Sequence, residues 1–114
     1  AWYTQNTKDT GTRPVATKKK NQLGLYDMSG NVWEWCEDDW HSDYKGAPAD
    51  GRAWVNSPRG DTRVYRGGSW LSGAQSCRVA NRYSSHGPSF RDDYVGFRLV
   101  RSFQSDGLFT PAFP

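Results

Sequence analysis

The stretch that decides the fold is Arg63-Val-Tyr-Arg-Gly-Gly-Ser-Trp70, which continues to Cys77-Arg-Val-Ala-Asn-Arg82 and closes at Val95-Gly-Phe-Arg-Leu-Val100. It begins with β-prone residues and then reaches Gly67 and Gly68, where the backbone can turn sharply or approach another segment closely. A long polar segment follows before the second β-prone run. The pattern predicts two fixed strands that hold a polar surface between them.

The composition indicates one small, loop-rich domain or part of one, and we treat residues 1–114 as a single domain with a tail at 102–114. Hydrophobic residues make up 35% of the 114, and the mean hydropathy is −0.89. Aromatic residues, 15% of the chain, compensate for this lean core. The 12 Gly and 6 Pro favour turns over long helices.

The charge of the chain gives no support to a nucleic-acid partner, because the net charge is only +3 and no basic stripe stands out. No apolar run is long enough to insert into a membrane.

One further strand is predicted at Asn31-Val-Trp-Glu-Trp-Cys36. Strict alternation places Val32, Glu34 and Cys36 on one face and the two tryptophans on the other. An acidic side chain inside an aromatic strand needs a partner. Residues 1–22 are predicted to be loop, and so are residues 37–62. The aromatic residues expected to pin the second loop are Trp40, Tyr44 and Trp54.

Four blocks in a fixed order resemble a known family. They are Gly24-Leu-Tyr-Asp-Met-Ser-Gly-Asn-Val-Trp-Glu-Trp35, Arg63–Trp70, Cys77–Arg82 and Gly96-Phe-Arg-Leu-Val100. Together they resemble the C-terminal half of the formylglycine-generating enzyme (sulfatase-modifying factor) domain. The resemblance implies a C-type-lectin-like α+β fold, loop-rich, with short antiparallel strands and little regular secondary structure. It also implies that the N-terminal half of that domain is missing, either as a separate segment or because the chain is a shortened relative.

The resemblance also bears on catalysis. The oxidases of this family hold copper(I) with two cysteines and convert a substrate cysteine to formylglycine. The second cysteine matches Cys77, whereas the first matches Ser72, and a hydroxyl is a poor ligand for a soft copper(I) ion. We therefore expect no copper and no formylglycine-generating activity. The alternative is a fragment of a related oxygen-dependent oxidoreductase acting on a cysteine or thiol substrate, with Cys77 as its catalytic residue.

Another branch of the family, which the chain also resembles, comprises the variable proteins of diversity-generating retroelements in bacteria and phages. There the fold carries a hypervariable binding face, and the mutated codons cannot reach Lys, Glu, Gln, Met or Trp. Residues 71–94 contain one of these, Gln75, whereas residues 1–70 contain 16. We predict a non-catalytic ligand-binding domain whose face is formed by residues 71–76 and 83–94. An ordinary polar loop between strands is the alternative.

The predicted face is rich in Tyr, Ser and Gly, which binding loops favour. The ligand contacts are predicted to be Tyr65, Trp70, Leu71, Ser72, Gly73, Ser76, Tyr83, Ser84, Ser85, His86, Ser89, Phe90, Asp92, Asp93 and Tyr94. We expect the partner to be a protein or cell-surface ligand. The expected location is the cell surface or the extracellular space.

Two further sites follow from the resemblance. In the related enzymes the residue matching Glu34 holds a structural calcium together with backbone carbonyls, which here are those of Ser29, Gly30 and Val32. The alternative for Glu34 is an ion pair with Arg66 or Arg98. Cys36 and Cys77 are predicted to form a disulfide, and the alternative is two buried free thiols. Arg66, Arg78, Arg82 and Arg98 are expected to hold loops in place.

Overall fold

The structure is a computed structural model that describes residues 1–103 and 109–111, of which 102–103 and 109–111 are described by their backbone alone. Regular elements are short and separated by loops, as predicted. They are helix α1 (Thr4–Thr7), strands β1 (Trp33–Asp39) and β2 (Arg63–Arg66), a 3-10 helix (Ala74–Cys77), and strands β3 (Arg82–Tyr83), β4 (Val95–Gly96), β5 (Arg101–Phe103) and β6 (Phe109–Pro111). A small sheet with little helix confirms the α+β prediction.

Four strands form one mixed sheet in the order β3-β2-β1-β4. β1 pairs with β2, and β2 with β3, in antiparallel fashion, but β4 runs parallel to β1. The expectation of antiparallel strands is therefore wrong for β4. The predicted length of this strand is wrong as well, because the strand predicted at residues 95–100 ends at Gly96. Beyond that point the Arg98 side chain binds Glu34 and the loop carbonyls of Tyr26 and Asp27.

The core of the sheet is an aromatic cluster. Tyr65 lies edge-on against Trp33 and Trp35, with ring centroids 5.2 and 5.0 Å apart. Tyr83 on β3 completes the cluster at 5.5 Å from Tyr65 and 6.0 Å from Trp33. Edge-to-face pairs at such distances stabilise a core beyond the area that they bury. Strands β1 and β2 are thus held together by Trp33 and Trp35, which the alternation placed on one face and which contact Tyr65.

The N-terminal region departs from the prediction of loop, because α1 lies within it. The side-chain oxygen of Asn6 accepts a hydrogen bond from the backbone amide of Tyr3 at 2.9 Å, as the third residue of a capping box does. The hydroxyl of Thr7, fully buried, donates to the carbonyl of Trp70 at 2.7 Å. This short helix therefore supports the segment that follows β2.

The predicted tail at 102–114 includes the antiparallel pair of β5 and β6. The sequence also predicts that the phenylalanines of this tail anchor it, but their side chains lie outside the described part of the chain. None of the helices in residues 1–103 is long or apolar enough to cross a membrane.

Candidate ligand-binding surface

The C-terminal end of segment 83–94 is hydrogen-bonded to the core through its backbone. The amide of Trp33 on β1 donates to the carbonyl of Tyr94 at 2.8 Å. The indole nitrogen of Trp70 donates to the carbonyl of Asp93 at 3.3 Å. Trp70 therefore joins the start of segment 71–76 to the end of segment 83–94.

The middle of this segment carries a chain of hydrogen bonds and stacked rings. The hydroxyls of Tyr65 and Ser85 lie 2.6 Å apart, and Ser85 in turn contacts Nδ1 of His86. The imidazole of His86 stacks on Phe90 with centroids 3.8 Å apart, and Phe90 lies 6.2 Å from Tyr94. Burial raises the pKa of Tyr65, so its hydroxyl stays protonated at neutral pH. The arrangement gives a fixed row of rings bordered by polar groups.

Most of the predicted contacts lie at or near the surface. Those that are exposed are Leu71, Gly73, Tyr83, Ser85, Ser89, Asp92 and Asp93. Those that are half-buried are Ser72, Ser76, Ser84, His86, Phe90 and Tyr94. Tyr65 and Trp70 are only 2% and 8% exposed, so their prediction as flanking contacts is corrected. Both side chains support the surface from the core instead.

The segment 71–76 lies against α1. The amide of Thr4 donates to the carbonyl of Ser72 at 3.1 Å. The Ser72 hydroxyl accepts a hydrogen bond from the Ser69 amide and lies 3.0 Å from the Ser69 hydroxyl. Ser72 is therefore engaged within its own turn.

The two cysteines are free, half-buried thiols in the structure, which matches the second of the two alternatives. Cys77 lies directly beside Gly68, whose φ is +71° and where an added Cβ would come within 2.7 Å of the Cys77 sulfur. Burial raises the pKa of both thiols. Ser72 and Cys77 together offer one protonated thiol and one hydroxyl that is hydrogen-bonded to Ser69, whereas copper(I) prefers thiolates, and the absence of copper stays a prediction.

Glu34 forms an ion pair with Arg98, one of the two arginines considered as its partner. Its carboxylate oxygens accept hydrogen bonds from Nε and Nη2 of Arg98 at 2.8 and 2.6 Å. Because both oxygens are bound to a guanidinium, they do not form an open ligand set with the predicted carbonyls of Ser29, Gly30 and Val32. Calcium binding there stays a prediction. In residues 1–103 no group of three or more His, Cys, Asp or Glu side chains is placed to hold a metal ion.

The loop between β1 and β2 is pinned as predicted. The Arg82 guanidinium lies between the rings of Trp40 and Tyr44, at 4.6 and 4.3 Å from their centroids. Trp54 stacks on His41 at 3.5 Å. Cation–π contacts of this kind hold a loop that has few aliphatic anchors.

The sequence analysis missed the buried carboxylate of Asp39. It accepts hydrogen bonds from Arg63 at 2.6 Å, from Arg59 at 3.1 Å and from the Asn56 amide at 2.7 Å. The signal was present, because antiparallel pairing places the end of β1 opposite the start of β2, where Arg63 stands. The sequence analysis instead assigned Asp39 to the predicted loop at residues 37–62, whereas it lies at the end of β1.

Comparison with known proteins identifies the family. Residues 1–103 match the family described as the sulfatase-modifying factor enzyme 1-like domain. The chain belongs to this FGE-sulfatase family. It is 39% identical over 96 residues to the formylglycine-generating enzyme of Thermomonospora curvata, covering 80% of this chain and 31% of that enzyme.

Two solved structures are similar. PvdO from Pseudomonas aeruginosa superimposes with a TM-score of 0.72 and 41% identity, over 76% of this chain and 33% of that one. Treponema denticola variable protein 1 superimposes with a TM-score of 0.66 and 38% identity, over 84% of this chain and 34% of that one. The chain thus spans about a third of the length of these relatives, and its fold is that of formylglycine-generating enzymes and variable proteins.

Proposed function

We propose that the chain is a non-catalytic ligand-binding domain whose binding face is formed by residues 71–76 and 83–94. The observation that carries the proposal is the row of rings at His86, Phe90 and Tyr94. One end of the row is hydrogen-bonded to the core through the backbone carbonyl of Tyr94, and exposed polar side chains surround the rings. Aromatic rings that are held in place supply contact area with little loss of side-chain entropy on binding. Such rings favour the binding of a protein or another cell-surface ligand.

The chemistry next to the face argues against the oxidase reaction. Ser72 stands where the related oxidases have their first copper ligand, and its hydroxyl is hydrogen-bonded to Ser69. The Cys77 thiol is half-buried, and its pKa is raised. A single protonated thiol offers neither the two soft ligands nor the charge that copper(I) chemistry needs.

The likeness to Treponema denticola variable protein 1 supports an origin in a diversity-generating retroelement. On this proposal the face is diversified by mutation and displayed at the cell surface or outside the cell. Its test is to sequence the 3′ end of the gene in several isolates and search the flanking DNA for a near-copy. Differences confined to codons 71–76 and 83–94 would support the proposal. An invariant region without a template copy would overturn the retroelement origin.

Binding itself is tested with an array of cell-surface proteins and glycans probed with the purified chain. Once a ligand is found, Phe90→Ala should weaken binding by about tenfold to a hundredfold, as expected for an aromatic anchor. Tyr26→Ala, at an exposed ring outside the face, is the matched control and should change affinity less than about twofold. Equal effects of the two variants would place the ligand elsewhere.

A second candidate is an oxygen-dependent oxidoreductase acting on a cysteine or thiol substrate. The 39% identity to the Thermomonospora curvata enzyme and the matched position of Cys77 favour it. The test is a copper(I) titration followed by an assay with a cysteine peptide. We expect no stoichiometric binding, and peptide oxidation that depends on Cys77 would overturn the non-catalytic proposal.

A further inference from the structure

The charge of the proposed binding face is opposite in sign to that of the rest of the chain. Residues 71–76 and 83–94 contain one basic residue, Arg91, and two acidic residues, Asp92 and Asp93, so their formal charge is −1 with His86 neutral. The whole chain carries +3, and the residues outside the face therefore carry +4. A face whose charge opposes that of the body of the protein selects its partner by charge.

The two carboxylates lie at one end of the row of rings. Burial raises the pKa of Tyr94, and the carboxylates of Asp92 and Asp93 raise it further. Because the interaction between charges falls with distance, both carboxylates must lie close to the Tyr94 hydroxyl. Both aspartates are exposed, whereas Tyr94 is half-buried, with its ring 6.2 Å from that of Phe90. The row therefore ends in a region of negative potential that solvent reaches.

The chain supplies no cation to neutralise these two carboxylates. None of the ion pairs formed within residues 1–103 includes Asp92 or Asp93. Arg91 stands next to them in the sequence, but its side chain is exposed and pairs with neither. Asp92 accepts a hydrogen bond from the backbone amide of Asp93 at 2.7 Å, and this bond leaves its charge uncompensated.

A third acidic residue lies near the other end of the row. The backbone carbonyl of Asp61 lies 3.3 Å from the position that a Cβ on Gly87 would occupy, and Gly87 follows His86 directly. Asp61 is exposed. Acidic residues thus stand beside the row at both ends, which disfavours an anionic ligand such as a sulfated or sialylated glycan.

We propose that the ligand is a protein that presents a lysine or arginine side chain, which lies against the rings of Phe90 and Tyr94 and pairs with Asp92 and Asp93. This inference rests on the proposed function, since it names the ligand class of the same face. The face of an aromatic ring attracts a cation. A carboxylate beside the ring adds a charge-assisted hydrogen bond to the same ammonium or guanidinium group.

An array of short random peptides, probed with the fluorescently labelled chain, tests the charge of the ligand. Peptides that bind the wild type and lose binding to Phe90→Ala are those that contact the face. Lysine and arginine should be enriched among these peptides relative to the whole array. Replacing the arginine of such a peptide with citrulline keeps its shape, removes its charge and should weaken binding by about tenfold.

Substitutions at the carboxylates separate the effect of charge from that of ring contact. The double variant Asp92→Asn, Asp93→Asn should weaken binding of the basic peptides by about tenfold and remove their enrichment. Asp50→Asn is the matched control, because it removes an exposed carboxylate outside the face and should change binding less than about twofold. Circular dichroism spectra that match the wild type confirm that each variant is folded.

The possible outcomes distinguish this inference from the function on which it rests. Phe90-dependent peptides that are neutral or acidic would overturn the cationic ligand and leave the binding face standing. Basic peptides that bind the double variant as tightly as the wild type would also overturn it, because the cation would then pair elsewhere. If no peptide depends on Phe90, the inference fails, and the array of cell-surface proteins and glycans decides the proposed function separately.

Discussion

Replacing Asp39 with asparagine removes the charge at the most enclosed carboxylate of the sheet while keeping its shape. Asp39 is 1% exposed and is bound to Arg59, Arg63 and the Asn56 amide. In the variant an NH₂ group faces these donors, and the buried part of Arg63, whose side chain is 16% exposed, loses its partner. Breaking a buried pair on one side costs roughly 3–5 kcal/mol. The Arg59 side chain is 39% exposed and can be hydrated again, so we expect the lower end, about 3 kcal/mol.

The assay is equilibrium urea unfolding of the whole chain followed by tryptophan fluorescence. A loss of about 3 kcal/mol corresponds to a fall in Tm of roughly 10–20 °C. Asp50→Asn is the matched control, because Asp50 pairs with Arg52 at the surface, with 63% and 75% of the two side chains exposed. The control should change the free energy of unfolding by less than about 1 kcal/mol. If the two variants lose the same small amount, the cluster does not stabilise the fold in the way argued.

The same carboxylate predicts a pH dependence. Burial alone would raise the pKa of Asp39, but the Asn56 hydrogen bond and the two arginines outweigh it and hold the pKa below its ordinary value. A depressed pKa contributes stability that is fully present above the unfolded-state pKa, near 3.9, and is lost as the pH falls through the folded-state pKa. The difference in unfolding free energy between wild type and Asp39→Asn should therefore stay constant from about pH 7 to pH 5 and begin to shrink below about pH 4. Urea titrations at these pH values test this, and a difference that widens on acidification would contradict it.

Two further substitutions test contacts described above. Gly68→Ala should destabilise the chain by more than about 2 kcal/mol, because the new Cβ meets the Cys77 sulfur at a positive φ. Gly46→Ala, at φ +82° with open space around it, should cost only about 1 kcal/mol in the same urea titration, and equal losses would refute the steric argument. Arg98→Leu should cost about 1–3 kcal/mol, since Glu34 is left unpaired and half-buried. Melting curves with and without chelator complete this test, because a chelator effect on the wild type that Glu34→Gln abolishes would indicate that Glu34 holds calcium in addition to Arg98.

The sequence predicted those strands whose burial produces a local pattern of residues. Alternation across Asn31–Cys36 marked β1, and β-prone residues before Gly67 marked β2. The parallel placement of β4 leaves no such mark, because Val95 and Gly96 form only two ladder pairs, with Trp33 and Glu34. Whether a short strand runs parallel or antiparallel depends on the path of the chain between the strands, which periodicity does not report.

The sequence predicted the exposure of most residues of the candidate site but not the burial of Tyr65 and Trp70. Sequence composition located the segments 71–76 and 83–94 at the surface, because Ser and Asp are mostly exposed in folded proteins. It also placed Tyr65 and Trp70 at the surface, although both rings are in the core. A tyrosine or tryptophan beside a polar loop fits either position, since its polar atom reaches out while its ring is buried.

The hydrogen bonds that anchor segment 83–94 determine which substitutions its codons tolerate. Trp33 and Trp70 hold main-chain carbonyls at Tyr94 and Asp93, which every amino acid supplies. Codon 93 can therefore change without loosening the loop, whereas a change at codon 94 keeps the hydrogen bond but removes the ring that lies against Phe90. Ser85 is held through its own hydroxyl, so a change there alters both what the surface presents and how firmly it is anchored. Selection should therefore act differently on neighbouring codons of one loop, with wide tolerance at 93, a preference for aromatic residues at 94 and a narrow choice of hydroxyl-bearing residues at 85.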